Sequence, residues 1–413
     1  MFARRRLPLN HYFADEETYL NEEVKLAGWI DSMRCQGSSF AFITLNDGSC
    51  LKSVQIIVNT ENISNESDLD DIFKRGTKGV SISVEGQVVK SPKSGQLTEI
   101  VAKKIKVLGD VDGNEYPISK KKLPLEHIRK FPQLRIRTKI ISSVARIRNT
   151  CAMATHNFFQ IHDFKYVHTP IITSNDCEGA GETFTLSNTL PSIGVDSITS
   201  HNPFFGEEVG LTVSGQLHGE TYACGLGDIY TFGPTFRAEN SNTSRHLCEF
   251  WMIEPEMCFI NLKDLMNISE DYIKHCINLV LLECNDEIEF LDKNYQEGLK
   301  EQLNNLVKNT FSRMTYTEVI STLENEIKNG KAIVRDKNME NRKFKKLAKG
   351  KHIFEENVFW GCDLASEHEK YMTDKVLNGP LFVTDYPKEI KSFYMKENED
   401  GKTVSAMDLL VPN

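Results

Sequence analysis

The sequence predicts an α+β protein in which a small closed β-barrel precedes a larger domain of mixed helices and strands. Three observations predict it. Residues 24–108 hold five short β-rich segments, residues 110–136 hold a proline-marked break, and from Ile140 onward the apolar period changes from two to nearly four. A chain of 413 residues is long enough for two or three domains.

The five segments are VKLAGWIDSM, FAFITLNDGS, SVQIIVN, VSISVEGQVV and LTEIVAKKIKVLG. Their β-branched and aromatic residues suit a pleated, half-buried surface, and NDGS and SPKSG are turn sequences. Five strands in roughly 85 residues suit a barrel of the OB type, with a sandwich fragment as the alternative. The barrel is placed at 23–110 after an N-terminal segment 1–22. Residues 111–136, with Pro117, Pro124, Pro132 and many charges, read as a hinge.

The larger domain, 137–413, opens with Ile140, Val144, Ile147, Cys151, Ala154 and Phe158, spaced by four and three along one helix face. The helix should end near HDFKYV. VHTPIITS then reads as a strand, and Pro170 inside it confines that strand to an edge or an interface because proline has no donor. Residues 228–239 and 248–259 read as two strands joined by NSNTSRH. On the first, Tyr230, Phe232 and Phe236 alternate with Thr231, Thr235, Arg237 and Glu239. On the second, Phe250 shares a face with Glu254 and Glu256, and a charged face on a long hairpin lines a site or meets water. Residues 262–284 form an amphipathic helix, and the Lys-, Asn- and Glu-rich stretch 325–356 reads as a surface insertion.

Composition narrows the class. Hydrophobic residues are 40% and charged residues 26%, the balance of a globular enzyme. A net charge of -9 does not advertise a polyanion binder. Local clusters such as Lys103, Lys104 and Lys106, or Lys120 to Lys122 with Arg129 and Lys130, can still meet phosphate, although such runs are more often solvated faces. Ten cysteines without a CxxC pair read as buried thiols in a reducing compartment. No apolar run approaches the roughly 20 residues that cross a bilayer. MFARRRLPLN lacks the apolar core of a secretory signal. A cytoplasmic protein is therefore expected, with the three arginines of an organellar (for example mitochondrial) leader as the alternative.

The chemistry concentrates in the hairpin. Arg237, Glu239, Arg245, His246, Glu249 and Phe250 fall within fourteen positions. Two guanidiniums can clamp a polyphosphate, because their fork matches phosphate oxygens. Phe250 offers a flat face to a purine, and carboxylates take amino donors or hold magnesium. A salt-bridged surface hairpin would contain the same residues, so spacing alone leaves both readings open.

The whole stretch FGPTFRAENSNTSRHLCEFWMIEPE resembles motif 2 of class II aminoacyl-tRNA synthetases, in the form used by the asparaginyl, aspartyl and lysyl subgroup. The preceding helix and the strand around Pro170 resemble motif 1, the homodimer interface of that class. The resemblance implies a class II antiparallel-sheet catalytic domain with helices around it, following an OB-fold barrel. It implies that Arg237 holds the ATP α-phosphate and stabilises charge as the adenylate forms. Glu239 would contact the adenine side or the incoming tRNA end, and Arg245 and His246 the β- and γ-phosphates, with Phe250 stacked on adenine. Arg237 and Arg245 are then the catalytic pair. No general base is needed, since the substrate carboxylate is already a nucleophile and catalysis is positioning plus electrostatics.

Amino-acid choice is implied by two further segments. NDCEGAGETF resembles a closing loop whose Glu178 meets the substrate ammonium, with Gly179 and Gly181 allowing it to move. TVSGQLHGETYA resembles the adjoining pocket wall, with Ser214 and Gln216 also near the ammonium. Aspartyl relatives carry a lysine where this chain has Gly219, so an aspartate side chain would lose its main partner here. Glu220 would instead accept from a carboxamide NH2 and repel a carboxylate, which points to asparagine. WGCDLASEHEKYM and TDYPKEIKSFYMKENEDGKTVSAMDLL resemble the same subgroup, and imply that Asp363, Glu367 and His368 lie near the pocket, with His368 as an amino-acid contact. The barrel resembles the subgroup's anticodon-binding domain. Arg34, Phe42 and Gln55 fall where relatives touch anticodon bases, Phe42 by stacking and the others on base edges. For Phe42 the barrel core is the alternative.

The implied substrates and partners are ATP with Mg2+, asparagine and tRNA(Asn). Relatives of this subgroup continue past DLLVP with a glutamate-rich metal-binding stretch, an arginine facing the substrate side chain, and motif 3. The resemblance ends at Asn413, which implies a catalytic domain lacking its C-terminal part and impaired activity of the chain as written. An aspartyl-type synthetase and a non-catalytic, truncated tRNA-binding protein are the alternatives.

Overall fold

The structure is a computed structural model describing residues 6–63, 66–92, 96–118, 123–176, 183–186, 205, 207–240, 246–337, 339 and 341–412. It divides into two compact units, residues 1–150 with 282–299, and 151–281 with 300–413.

In the first unit, α1 (Leu9–Ala14) precedes β1 (Glu23–Gln36), β2 (Phe40–Asn46) and β3 (Val54–Asn59). Next come α2 (Glu66–Arg75), β4 (Ser81–Lys90) and β5 (Thr98–Gly109). All five expected strands form, and they close in the order β1-β2-β3-β5-β4. Alternate residues point inward, so Ala41, Ile43 and Leu45 of β2 join Ile56, Ile82, Val84 and Ile100 in one core. Gly86 stands at a register shift in β4, where a Cβ would come within 2.4 Å of the Val101 carbonyl oxygen.

Two features of this unit were not read from the sequence. The helix α2 sends Leu69 and Ile72 into the barrel core, and so does the N-terminal segment through Leu9 and Tyr12. That segment is tied down at Asp47, which accepts from the Arg6 guanidinium (2.9 Å), the Leu9 amide (3.1 Å) and the Ser49 hydroxyl (2.6 Å). Burial opposes ionisation of Asp47, but the bonds from Ser49, Leu9 and Arg6 outweigh it and hold the carboxyl below its ordinary value. The hinge is structured as well. It contains α3 (Leu125–Arg129), buries Ile118 and Ile128, and is followed by Arg137, whose guanidinium lies 4.9 Å over the Trp29 ring.

The long helix appears as α4 (Lys139–Ile161), close to its expected span. Of the expected strand VHTPIITS only β7 (Ile172–Thr173) forms, consistent with the missing proline donor, and a two-residue β6 (Lys165–Tyr166) lies just before it. Then come β8 (Gly210–Leu211), α5 (Gln216–Leu226), β9 (Ile229–Phe236), β10 (Glu249–Glu256), α6 (Leu262–Glu283), α7 (Asn285–Asn294) and α8 (Leu299–Lys308). The remainder is β11 (Ser312–Thr315), α9 (Tyr316–Lys328), β12 (Ala332–Val334), α10 (Asn341–Leu347), β13 (His352–Phe354), α11 (Ser366–Tyr371), β14 (Leu381–Pro387) and β15 (Thr403–Leu410).

Strand pairing in the second unit is antiparallel in its two longest ladders, as the sequence implied, with shorter parallel pairs beside them. β9/β10, β14/β15 and β7/β8 pair antiparallel, while β6/β9, β11/β14 and β12/β13 pair parallel. Parallel neighbours need long crossovers, and α9 with its capping box from Thr315 and Glu318 lies within one of them. Tyr316, Leu323, Phe354, Tyr371, Leu381 and Val383 share the main core of this unit. The stretch 325–356 is therefore more than a surface insertion: β12 and β13 flank α10, and Ala332, Phe344 and Phe354 are buried. Among the described residues no helix is long and apolar enough to cross a membrane, and the described cysteines are all free thiols.

Candidate active site

The register of the hairpin decides what faces the site. Thr235 lies opposite Phe250, Thr231 opposite Glu254, and Ile229 opposite Glu256. These residues share one face, as period two requires. The other face, with Tyr230, Phe232 and Ile253, packs against Phe158 and Phe159 of α4. The apolar side thus anchors the hairpin and the polar side is presented.

Glu254 is the hub of that polar side. It accepts from the Ser214 hydroxyl (2.5 Å), the Gly215 amide (3.0 Å) and the Thr231 hydroxyl (2.7 Å). Ser214 in turn accepts from the Gln216 amide at 3.1 Å, so the SGQ turn is locked onto the hairpin as α5 begins. A charged acceptor with three donors holds its neighbours more firmly than neutral bonds would. From α5, Gln216 donates to Glu220 at 3.0 Å and accepts from the Tyr394 hydroxyl at 3.2 Å. The structure therefore brings Ser214, Gln216 and Glu220 together, as the sequence implied, and adds Glu254, Thr231 and Tyr394. The parity of Glu254 with Phe250 was visible in the sequence; its partners across 40 and 23 positions were not.

Gly219 faces the hairpin, where a Cβ would meet Glu256 Cγ at 3.3 Å and Ile229 Cδ1 at 3.4 Å. Burial, then the neighbouring charges of Glu220 and Glu254, push the Glu256 carboxyl up to about 7. This corner of the pocket is thus acidic.

Beyond the hub, both Nε and Nη2 of Arg237 lie 3.4 Å from the Val213 carbonyl oxygen, and the guanidinium lies 5.5 Å from the centre of the Phe250 ring. A cation and an aromatic face stand side by side. His246 Nε2 lies 3.8 Å from Glu239 on the exposed end of the hairpin. Glu178 and Arg245 lie outside the described residues, as do Gly179 and Gly181.

His368 is wholly buried, its Nδ1 accepts from the Ala365 amide at 3.3 Å, and its Nε2 lies 3.3 Å from the Glu356 carbonyl oxygen. The Phe354 ring lies against it at 4.9 Å, so it packs in the α11 turn. Glu367 likewise accepts from the Glu356 amide at 2.8 Å.

On the barrel, Phe42 alternates with the buried Ala41 and Ile43, so it is outside the core cluster. It lies opposite Arg34 on β1 and Ile57 on β3, two residues from Gln55. The three residues thus share one outer face, although Gln55 also donates to Glu99 at 3.4 Å.

Comparison with known proteins agrees with this geometry. Residues 24–108 match the OB-fold nucleic acid binding domain, and residues 125–413 match tRNA synthetases class II (D, K and N). The chain is 45% identical over 405 residues to an asparagine–tRNA ligase of Treponema denticola, covering 95% of this chain and 80% of the relative. The chain belongs to the asparagine–tRNA ligase family. An asparagine–tRNA ligase of Phocaeicola vulgatus is 46% identical over 393 residues, covering 94% of this chain and 78% of the relative. Among solved structures, asparaginyl-tRNA synthetase from Pyrococcus horikoshii, complexed with asparaginyl-adenylate, matches with a TM-score of 0.78 at 26% identity over 99% of this chain and 81% of that one. The family sets the architecture seen here, an OB barrel followed by a class II synthetase domain of mixed sheet.

Proposed function

We propose that this chain activates asparagine with ATP and transfers it to tRNA(Asn). The observation that carries this reading is the Glu254-anchored turn, which sets Gln216 and Glu220 beside a lysine-free Gly219 next to the Arg237–Phe250 pair. In the first step the asparagine carboxylate attacks the α-phosphorus, the bond to the β-phosphate oxygen breaks, and pyrophosphate leaves. Arg237 offsets the negative charge gathering on the α-phosphate, and Phe250 supports the adenine. In the second step a terminal tRNA hydroxyl attacks the acyl carbon, AMP leaves, and the hydroxyl proton departs with it. The enzyme's work is orientation and charge stabilisation.

Glu220, held by Gln216, accepts from the substrate carboxamide, and the acidic corner formed with Glu254 and Glu256 disfavours aspartate. Glu178 and Ser214 complete the ammonium site, with Arg245, His246 and Glu239 at the phosphates and tRNA end. Arg34, Phe42 and Gln55 read anticodon bases. Magnesium would arrive with the triphosphate, held largely by phosphate oxygens; among the described residues no group of three His, Cys, Asp or Glu could hold an ion alone. Homodimerisation through α4 and the Pro170 segment is supported by the exposed Ile171, Ile172 and Trp251, which flank or line a cavity of about 610 Å³ there. Free thiols favour a reducing compartment such as the cytoplasm.

The test is ATP–pyrophosphate exchange by protein expressed from its full reading frame. Exchange driven by asparagine and not aspartate is expected. Exchange with aspartate alone would overturn the amino-acid assignment.

A further inference from the structure

Between Lys331 and His352 the chain has nine lysines and arginines against two acids, although overall it carries 49 bases and 58 acids. The structure shows how this charge is displayed. Phe344 and Ala348 are buried, with the Arg335 guanidinium 4.6 Å over the Phe344 ring, so one side of α10 is fixed to the protein. Arg342, Lys345 and Lys346 lie on the other side of the helix, Lys349 follows in the turn after it, and all four are exposed. Among the described residues none of these four makes an ion pair. Nearby Lys331 and Lys337 do, with Glu326 and Glu356.

A solvated face is the plainer account. Yet like charges crowded on and just after a short helix repel one another, and the rest of this acidic chain would supply carboxylates if solvation were the need. Uncompensated cations on a short, anchored helix are complementary to a row of phosphates.

We propose that the α10 face binds the phosphodiester backbone of tRNA, at a part of the molecule other than the anticodon bases. The proposal rests on the tRNA ligase reading above. Lysine is a point charge that positions a backbone without reading sequence, so this face adds affinity and orientation, while discrimination stays with the barrel and the pocket.

The test uses the full chain with Arg342→Gln, Lys345→Gln, Lys346→Gln and Lys349→Gln combined, and a second variant with the three lysines changed to arginine. The Kd for tRNA(Asn) is measured from about 50 to 200 mM salt, with the melting temperature as a folding control. The glutamine variant should bind about tenfold or more weakly at the low end, and the slope of log K against log salt should fall in magnitude by about three. The arginine variant should match the parent. An unchanged slope in a folded glutamine variant overturns the proposal. So does a loss of binding to phosphatidylserine vesicles with tRNA binding intact, which would make the face a membrane contact. Asparagine-dependent exchange needs no tRNA and should be unchanged. If the parent shows none, the enzymatic reading fails while the salt slope still decides this one.

Discussion

Glu256→Gln isolates the acidic corner of the pocket. No hydrogen-bond donor among the described residues reaches the Glu256 carboxyl. Glu220 faces it from α5 and Glu254 from its own strand, while β9 offers Ile229 and Thr231, which do not titrate. Burial and these two charges raise the carboxyl from 4.5 to about 7. The folded state therefore binds more protons than the unfolded chain between these values. The contribution to stability is full below about 4.5, is lost as pH rises towards 7, and stays lost above it. The whole change is on the order of 3 kcal/mol. Glutamine keeps the shape and removes the titration. Urea unfolding, followed in a Trp29→Phe background so that Trp251 and Trp360 of the second unit report, should show parent and variant nearly matched at pH 5. The variant should lead by on the order of 2–3 kcal/mol at pH 8. A difference that is the same at both pH values would refute the argument, because it would show a packing effect with no proton behind it.

Three further outcomes test the site. Arg237→Ala should abolish asparagine-dependent pyrophosphate exchange while leaving the Kd for tRNA within about twofold; normal exchange would remove Arg237 from the α-phosphate, where one lost charge donor should cost 10²–10³ in kcat. Gly219→Lys puts a Cβ 3.3 Å from Glu256 and an ammonium among the pocket carboxylates. Asparagine exchange should fall by about tenfold or more in kcat/KM and aspartate exchange should rise, a loss of discrimination of at least about 1.4 kcal/mol; an unchanged ratio would acquit this position. Phe42→Ala should weaken tRNA binding by about 1–3 kcal/mol without altering the melting temperature, since the barrel core is built from Ala41, Ile43 and Leu45. A melted barrel with unchanged tRNA affinity per folded molecule would return Phe42 to a packing role.

What the sequence made legible was periodic. The five barrel strands, α4, the hairpin and α6 all announce themselves by spacing of apolar residues, which is a local property of the chain. The N-terminal segment was opaque because Leu9 and Tyr12 become core only through strands far along the chain. The same holds for 325–356. Its lysines signal solvent, yet Ala332, Phe344 and Phe354 are spread too thinly to show a period, and only the pairing of β12 with β13 reveals a core.

The site divides along the same line. Arg237, Ser214, Gln216 and Glu220 sit in continuous motifs, so residue type and order single them out as candidates. His368 also sits in a recognisable segment, but residue type alone does not show that its two ring nitrogens meet the Ala365 amide and the Glu356 carbonyl oxygen. Glu254 and Glu256 pose the reverse problem. On paper they are two more acids on a hairpin strand. In space one is satisfied by three donors and the other by none, so the pair supplies a fixed anchor and a group reluctant to ionise. On the proposed reading, preference for a neutral carboxamide over a carboxylate comes from the field of several acids, of which Glu220 is only the most exposed. Removing Glu220 alone should therefore weaken asparagine binding more than it admits aspartate.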